Sequence, residues 1–186
     1  MRKNFGAKPY TYPQPVFIIA TYNDDGTADA MNAAWGGIHD STEIYMCLSA
    51  GHRTTKNILA RGAFTISMAD AEHVAACDYV GIVSGANEPQ KMKKAGFTTE
   101  KSSFVDAPVI VELPMALECR LIRYNEATGE LVGEIVNVSA DERVLDDQGK
   151  IDPSLLRPIT FDPVNNAYLV LGEKVGNAFS DGAALK

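Results

Sequence analysis

Basic residues, histidine and cysteine are all scarce in this 186-residue chain. Lysine and arginine number 17 against 24 acids, a formal net charge of −7, and the isoelectric point is near 4.9. Binding duplex nucleic acid needs a basic face to neutralise phosphates, so the composition argues against that partner while still allowing one local cationic pocket. The three histidines, His39, His52 and His73, are scattered. The three cysteines, Cys47, Cys77 and Cys119, are far apart and in apolar contexts. Neither set has the close spacing of a metal site, and separated thiols in odd number read as reduced core residues of a cytoplasmic protein. No apolar run reaches the length that spans a bilayer. Residues 1–15 are basic, then rich in proline and tyrosine, without the apolar centre of a secretion signal. Nucleotide fingerprints are missing too. The chain has no GxGxxG turn, no GxxxxGK[ST] loop and no GxSxG elbow, which argues against a Rossmann unit, a Walker site and a nucleophile elbow. No pair of carboxylates sits in an apolar frame of the kind that raises a pKa.

What the chain does hold is 46% hydrophobic residues, enough for a single domain with a real core over residues 1–186. Residues 16–22 form a continuous apolar run of strand length, expected to be buried on both faces. Asn23-Asp24-Asp25-Gly26-Thr27 is a hairpin turn, and residues 28–35 return as the second strand. Residues 43–48 alternate, with Ile44, Met46 and Leu48 on one side. Residues 64–68 alternate again, as do residues 115–124, which place Met115, Leu117, Cys119 and Leu121 on one face. Residues 131–139 are the hairpin partner of that last strand, and residues 159–161 and 167–171 are late strands. Helices are expected after Thr54 or Thr55 as N-cap, ending at Gly62; from Ala71 towards Ile82 with Asp70 as cap; and over residues 88–95, ending at Gly96. Residues 98–108 read as loop, residues 141–153 as a polar connection and residues 172–186 as a tail. About seven or eight short strands joined by hairpin turns, against three helices, predict a mainly β protein. The expected architecture is an antiparallel β-barrel with helices packed outside it, not a doubly wound parallel sheet.

One stretch carries most of the chemical signal: Leu48-Ser49-Ala50-Gly51-His52-Arg53-Thr54-Thr55-Lys56-Asn57-Ile58. A strand end, a glycine turn and a helix start meet there, with a guanidinium and several hydroxyls at the junction. Free N–H groups at a helix start and an arginine together make a phosphate site. The plainer alternative is a capped helix with a solvated arginine. Upstream, Asn32-Ala33-Ala34-Trp35-Gly36-Gly37 offers backbone amides with little side-chain bulk beside an aromatic plane, which suits the polar edge and apolar faces of a flat heteroaromatic ring. The plainer alternative is a Trp35 that fills core. Downstream, Ser84-Gly85-Ala86-Asn87-Glu88-Pro89-Gln90-Lys91 joins two helices and brings Lys91 within reach of an anion; the alternative is a solvated lysine beside Lys93 and Lys94.

Taken with Gly62-Ala63-Phe64-Thr65-Ile66-Ser67, Asp78-Tyr79-Val80-Gly81-Ile82-Val83-Ser84-Gly85, Gly96-Phe97-Thr98, Leu117-Glu118-Cys119, Val132-Gly133-Glu134-Ile135-Val136, Leu171-Gly172 and Val175-Gly176, these stretches resemble the flavin reductase-like family over nearly the whole chain. The resemblance implies an FMN-binding split β-barrel of Greek-key order, a homodimer with flavin near the subunit interface. It implies that Asn32, Ala33, Ala34 and Trp35 line the isoalloxazine, that Ser49, Arg53, Thr54 and Thr55 hold phosphate and ribityl chain, and that Ser84 and Lys91 stand beside the cofactor, Lys91 as a second cation. The chain departs from the family where relatives often carry a histidine near the end of the strand at residues 131–139; here that position is read as Ser139. No catalytic side chain is required, because the flavin itself carries the redox chemistry. The expected function is an FMN-dependent oxidoreductase drawing on NAD(P)H or on a redox protein partner. Two alternatives are an FMN electron carrier without a nicotinamide site and a flavin-free barrel.

Overall fold

The structure, a computed structural model, describes residues 1–186, at residue 184 the backbone alone. Strand β1 (Phe17–Tyr22) turns at Gly26, where φ is 82° and the N–H donates to Asn23 O at 3.0 Å, and returns as β2 (Ala28–Ala33). A second hairpin follows, β3 (Gly36–Asp40) with β4 (Glu43–Cys47), then α1 (Arg53–Arg61), β5 (Ala63–Met68), α2 (Val74–Ile82) and α3 (Lys91–Ala95). The short pair β6 (Thr99–Lys101) and β7 (Pro108–Ile110) precedes the long hairpin β8 (Met115–Asn125) and β9 (Glu130–Ala140). The chain closes with α4 (Pro153–Leu156) and the hairpin β10 (Ile159–Asp162) and β11 (Ala167–Val170).

Seven strands make one sheet in the order β2-β1-β5-β8-β9-β4-β3, and every pairing in it is antiparallel. The two edge strands, β2 and β3, are consecutive in the chain and joined by Ala34 and Trp35. The sheet therefore has to curl until its edges approach each other, which produces the expected split barrel. Cys47 N–H donates to Trp35 O at 2.8 Å and ties that link to the end of β4.

The apolar run of β1 is explained by two cores. Phe17 and Ile19 face the barrel interior with Met46, Phe64, Ile66, Leu117, Cys119 and Leu131. Ile18 and Ala20 face outward, under α2 and α3, with Cys77, Val80, Phe97 and Ile110. A strand of period two buried on both faces needs apolar residues at every position. The predicted inner face of β8 is also present, since Met115 and Leu121 flank buried Leu117 and Cys119.

Several sequence expectations are corrected. Neither Thr54 nor Thr55 caps α1. The N-cap position is His52, whose side chain makes no cap bond, and both threonines lie buried within the first turn. At the other end Gly62 is left-handed, with φ 67°, and its N–H donates to Ile58 O at 2.8 Å. Helix α2 starts at Val74, not Ala71, because Ala71 N–H is taken by Arg157 O at 3.0 Å and Asp70 bridges Pro158, which holds the chain extended there. Asp70 instead accepts from His73 N–H at 2.8 Å, one turn earlier than a helix cap. Residues 36–40 are a strand, and residues 98–108 include β6. Helix α3 starts at Lys91, after turns over the residues before it. Trp35 does not fill core; it is 55% exposed. Cys77 and Cys119 are core residues, and burial pushes both thiols up to about 12. Cys47 is only partly buried, at the rim.

Candidate functional site

A cavity of about 320 Å³ opens where β2, the start of α1, the end of α2 and the start of α3 converge. Strand β2 supplies Asp29, Met31 and Asn32, α1 supplies His52, Arg53 and Thr54, and α3 supplies Lys91. Val80 to Gly85, from α2 and the loop beyond it, form the facing wall. The helix and the strand approach closely because residue 81 is glycine: a Cβ there would stand 2.8 Å from Asn32 Cβ.

The charged groups are held in defined places. Arg53 Nε donates to Asn23 Oδ1 at 2.7 Å, and Asn57 Nδ2 donates to the same oxygen at 2.9 Å. That anchors the guanidinium by one edge, and among the described residues Arg53 forms no ion pair, so its other N–H groups are available. Helix α1 has no side-chain cap and no acid in its first turn, so nothing within the helix offsets the positive end of its dipole. Thr54 Oγ1 donates to Asp29 Oδ2 at 2.8 Å, and Lys91 Nζ lies 3.6 Å from Asp29 Oδ1. Burial pushes the Lys91 ammonium below the usual lysine value, and the neighbouring Asp29 carboxylate opposes that push. Thr55 Oγ1 is buried without a hydrogen-bond partner among the described residues, and Thr55 does not line the cavity.

Of the residues singled out in the sequence, Asn32, Arg53, Thr54, Ser84 and Lys91 come together in this cavity. Asn32 Nδ2 donates to Cys77 O at 3.1 Å. The others lie elsewhere. Ala33 packs on the barrel interior. Ala34 and Trp35 line a separate cavity of about 590 Å³ with Tyr45 and residues of the N-terminal segment between Lys8 and Pro15. Ser49 is exposed, and its Oγ accepts from Gly51 N–H at 3.3 Å. Ser139 lines a separate cavity of about 250 Å³ with Glu100, Ala116 and Asp141. Lys91 is not a solvated lysine, being 4% exposed. Sequence reasoning missed Asp29 and Met31, and it gave His52 and Gly85 no role within the stretches it singled out. Asp29 left one signal, an acid inside the small apolar run Ala28-Asp29-Ala30-Met31.

A flavin reductase like domain matches residues 10–159, and the chain belongs to the flavin reductase-like family. Within it, the chain is similar to flavoredoxin of Desulfovibrio vulgaris (Miyazaki F), with 41% identity over 98% of this chain and 100% of that one and a TM-score of 0.93. It is also similar to flavoredoxin from Methanosarcina acetivorans, at 26% identity over the whole of both chains with a TM-score of 0.89. An FMN-binding domain of a flavin reductases-like enzyme from Shewanella baltica shares the fold, at 19% identity and a TM-score of 0.77 over 88% of this chain and 89% of that one.

Proposed function

We propose that this protein binds FMN and passes electrons through it, from NAD(P)H or a reduced protein partner to an acceptor. The observation that carries the reading is the open, uncapped start of α1 with Arg53 beside it on a formed cavity. That donor set fits a phosphate monoester: a guanidinium with free edges, unpaired backbone N–H groups and a second cation at Lys91. The hydroxyls of Thr54 and Thr55 are turned inward, so these residues would hold the phosphate through their backbone N–H groups. Asn32, with the backbone leading to Trp35, would border the ring. Bound FMN supplies hydride acceptance and release of electrons singly or in pairs. The chain's own part is to hold, orient and shelter it.

The similarity to flavoredoxin along the full chain supports a second version of the reading, in which FMN is an electron carrier without its own nicotinamide site. Ser139, where relatives often carry histidine, supports the same version. Anaerobic mixing separates the two. Bleaching of the flavin by NADH or NADPH marks the reductase, whereas bleaching by dithionite alone marks the carrier. A colourless protein that takes up no supplied FMN would overturn both.

The reading includes a homodimer. An apolar groove of about 890 Å³ along β3 and β9 has Ile38, 70% exposed, and Val138, 46% exposed, at its rim, a surface suited to a second copy of the chain. Sedimentation at monomer mass across micromolar concentrations would count against it. Buried, unpaired Cys77 and Cys119 fit a reducing, cytoplasmic setting.

A further inference from the structure

We infer that Asp29 is a positioning residue for the ligand phosphate: it holds the Lys91 ammonium at the cavity, so that an acid placed inside an anion site tightens anion binding. The inference rests on the reading of this cavity as an FMN site.

Asp29, Lys91 and Thr54 are 3%, 4% and 2% exposed, and they come from three different elements. The carboxylate is fixed from several sides. Oδ2 accepts from Thr54 Oγ1, and Oδ1 faces Lys91 Nζ at 3.6 Å. The loop after α2 closes over it so tightly that a Cβ on Gly85 would stand 2.2 Å from Oδ1. Two effects compete at such a place. A carboxylate near a phosphate repels it. An ammonium buried this deeply without a counter-charge sheds its proton and stops being a cation. The charged or titratable groups that share the cavity with Lys91 are Asp29 from β2 and His52 and Arg53 from α1; α2 and its loop contribute the uncharged stretch from Val80 to Gly85. Arg53 is itself a cation, so among the described residues that line the cavity Asp29 is the acid that keeps Lys91 charged. Burial lowers the lysine and Asp29 raises it, in agreement with this geometry.

Asp29→Asn keeps the size of the side chain and an oxygen for Thr54 while removing the charge. FMN affinity of D29N, read by fluorescence titration against wild type at the same pH, is expected to equal or exceed wild type near pH 6, where Lys91 is still charged and one repelling carboxylate is gone, and to fall about tenfold or more below wild type towards pH 9. Riboflavin, which lacks the phosphate, should bind both proteins alike. In ligand-free protein, a 13C titration of Lys91 Cε should show a lower midpoint in D29N than in wild type. Asp29→Asn combined with Lys91→Met leaves no lone buried charge and should fold well. It should bind FMN as weakly as Lys91→Met alone and show no alkaline loss.

Tighter FMN binding by D29N at every pH overturns the inference, as does an unmoved Lys91 midpoint. Full additivity of the two single losses in the double variant overturns it as well. Wild-type protein that binds no FMN would sink the proposed function itself, whereas wild-type binding with any of these outcomes sinks only the role of Asp29.

Discussion

Gly85 lies directly against Asp29: the Cβ that this glycine lacks would stand 2.2 Å from Asp29 Oδ1 and 3.5 Å from Arg53 Cδ. The contact joins the loop after α2 to the strand beneath it and to the arginine beside it. Any side chain at position 85 has to displace the Asp29 carboxylate, which shapes the cavity, whereas 3.5 Å from Arg53 Cδ is an ordinary contact. Gly85→Ala should weaken FMN binding by about tenfold or more and lower stability by about 1–3 kcal/mol through overpacking. Fluorescence titration and urea unfolding read the two effects. Unchanged affinity would mean that the loop relaxes without disturbing the cavity.

Arg53→Ala should weaken FMN binding roughly ten- to a hundredfold, the value of a charge-assisted hydrogen bond of about 1.5–3 kcal/mol. Riboflavin binding should stay the same. Equal losses for the two ligands would show that Arg53 supports the fold of the cavity and not the phosphate.

Asp70→Ala removes the acceptor of His73 N–H and the partner of His73 Nδ1, 2.9 Å away. The expected cost is about 1 kcal/mol of stability, as for a lost cap, with FMN affinity untouched because Asp70 lies outside the cavity. A fall in affinity without a fall in stability would contradict this placement.

Gly133→Ala tests the barrel interior. A Cβ there would stand 2.5 Å from Cζ of Phe64, which is fully buried. Overpacking should cost about 1–3 kcal/mol in a chemical denaturation curve. A neutral result would mean that Phe64 has room to move.

The acid limb of stability should report Asp162. Its carboxylate accepts from Tyr12 OH, from Asn165 Nδ2 and from the N–H groups of Val164 and Asn165, which together lower its pKa from 3.8 to about 2. A carboxylate depressed in the folded state contributes stability that is complete above 3.8 and lost as pH falls towards 2. Tyr12→Phe removes the largest of these effects, so the Asp162 carboxyl signal in a 13C titration should move to a higher midpoint. An unmoved midpoint would show that the tyrosine contact does not form in solution.

The strands of the barrel wall were legible in the sequence because burial on one or both faces writes itself as a period of two or as an unbroken apolar run, as in β1 and β8. Strand β3 was not, because Gly36 and Gly37 carry no such pattern and become a strand only by pairing with β4. The caps misled for a related reason. Thr54 and Asp70 are good capping residues in isolation, but distant residues intervene: Asp29 claims the Thr54 hydroxyl, and Arg157 and Pro158 hold the chain at Asp70 and Ala71 extended. Arg53 and Lys91 were legible as cations near an anion. Asp29 was not, because its burial depends on Thr54, 25 residues further on, and on a lysine from a third element. The sequence sets Trp35 with Asn32 at one ring, whereas the structure sets it on a separate cavity with Tyr45 and the N-terminal segment.

Strand β1 sends bulky Phe17 and Ile19 one way and Ile18 and Ala20 the other, into two separately packed interiors. A single residue inserted near its start would exchange the two sets at once. Wide side chains would then meet the helices where alanine now fits, and the barrel would be left underfilled. This one short segment thus sets the alignment of its partners β2 and β5, and through β2 it decides how far the cavity wall stands from the helices that complete it.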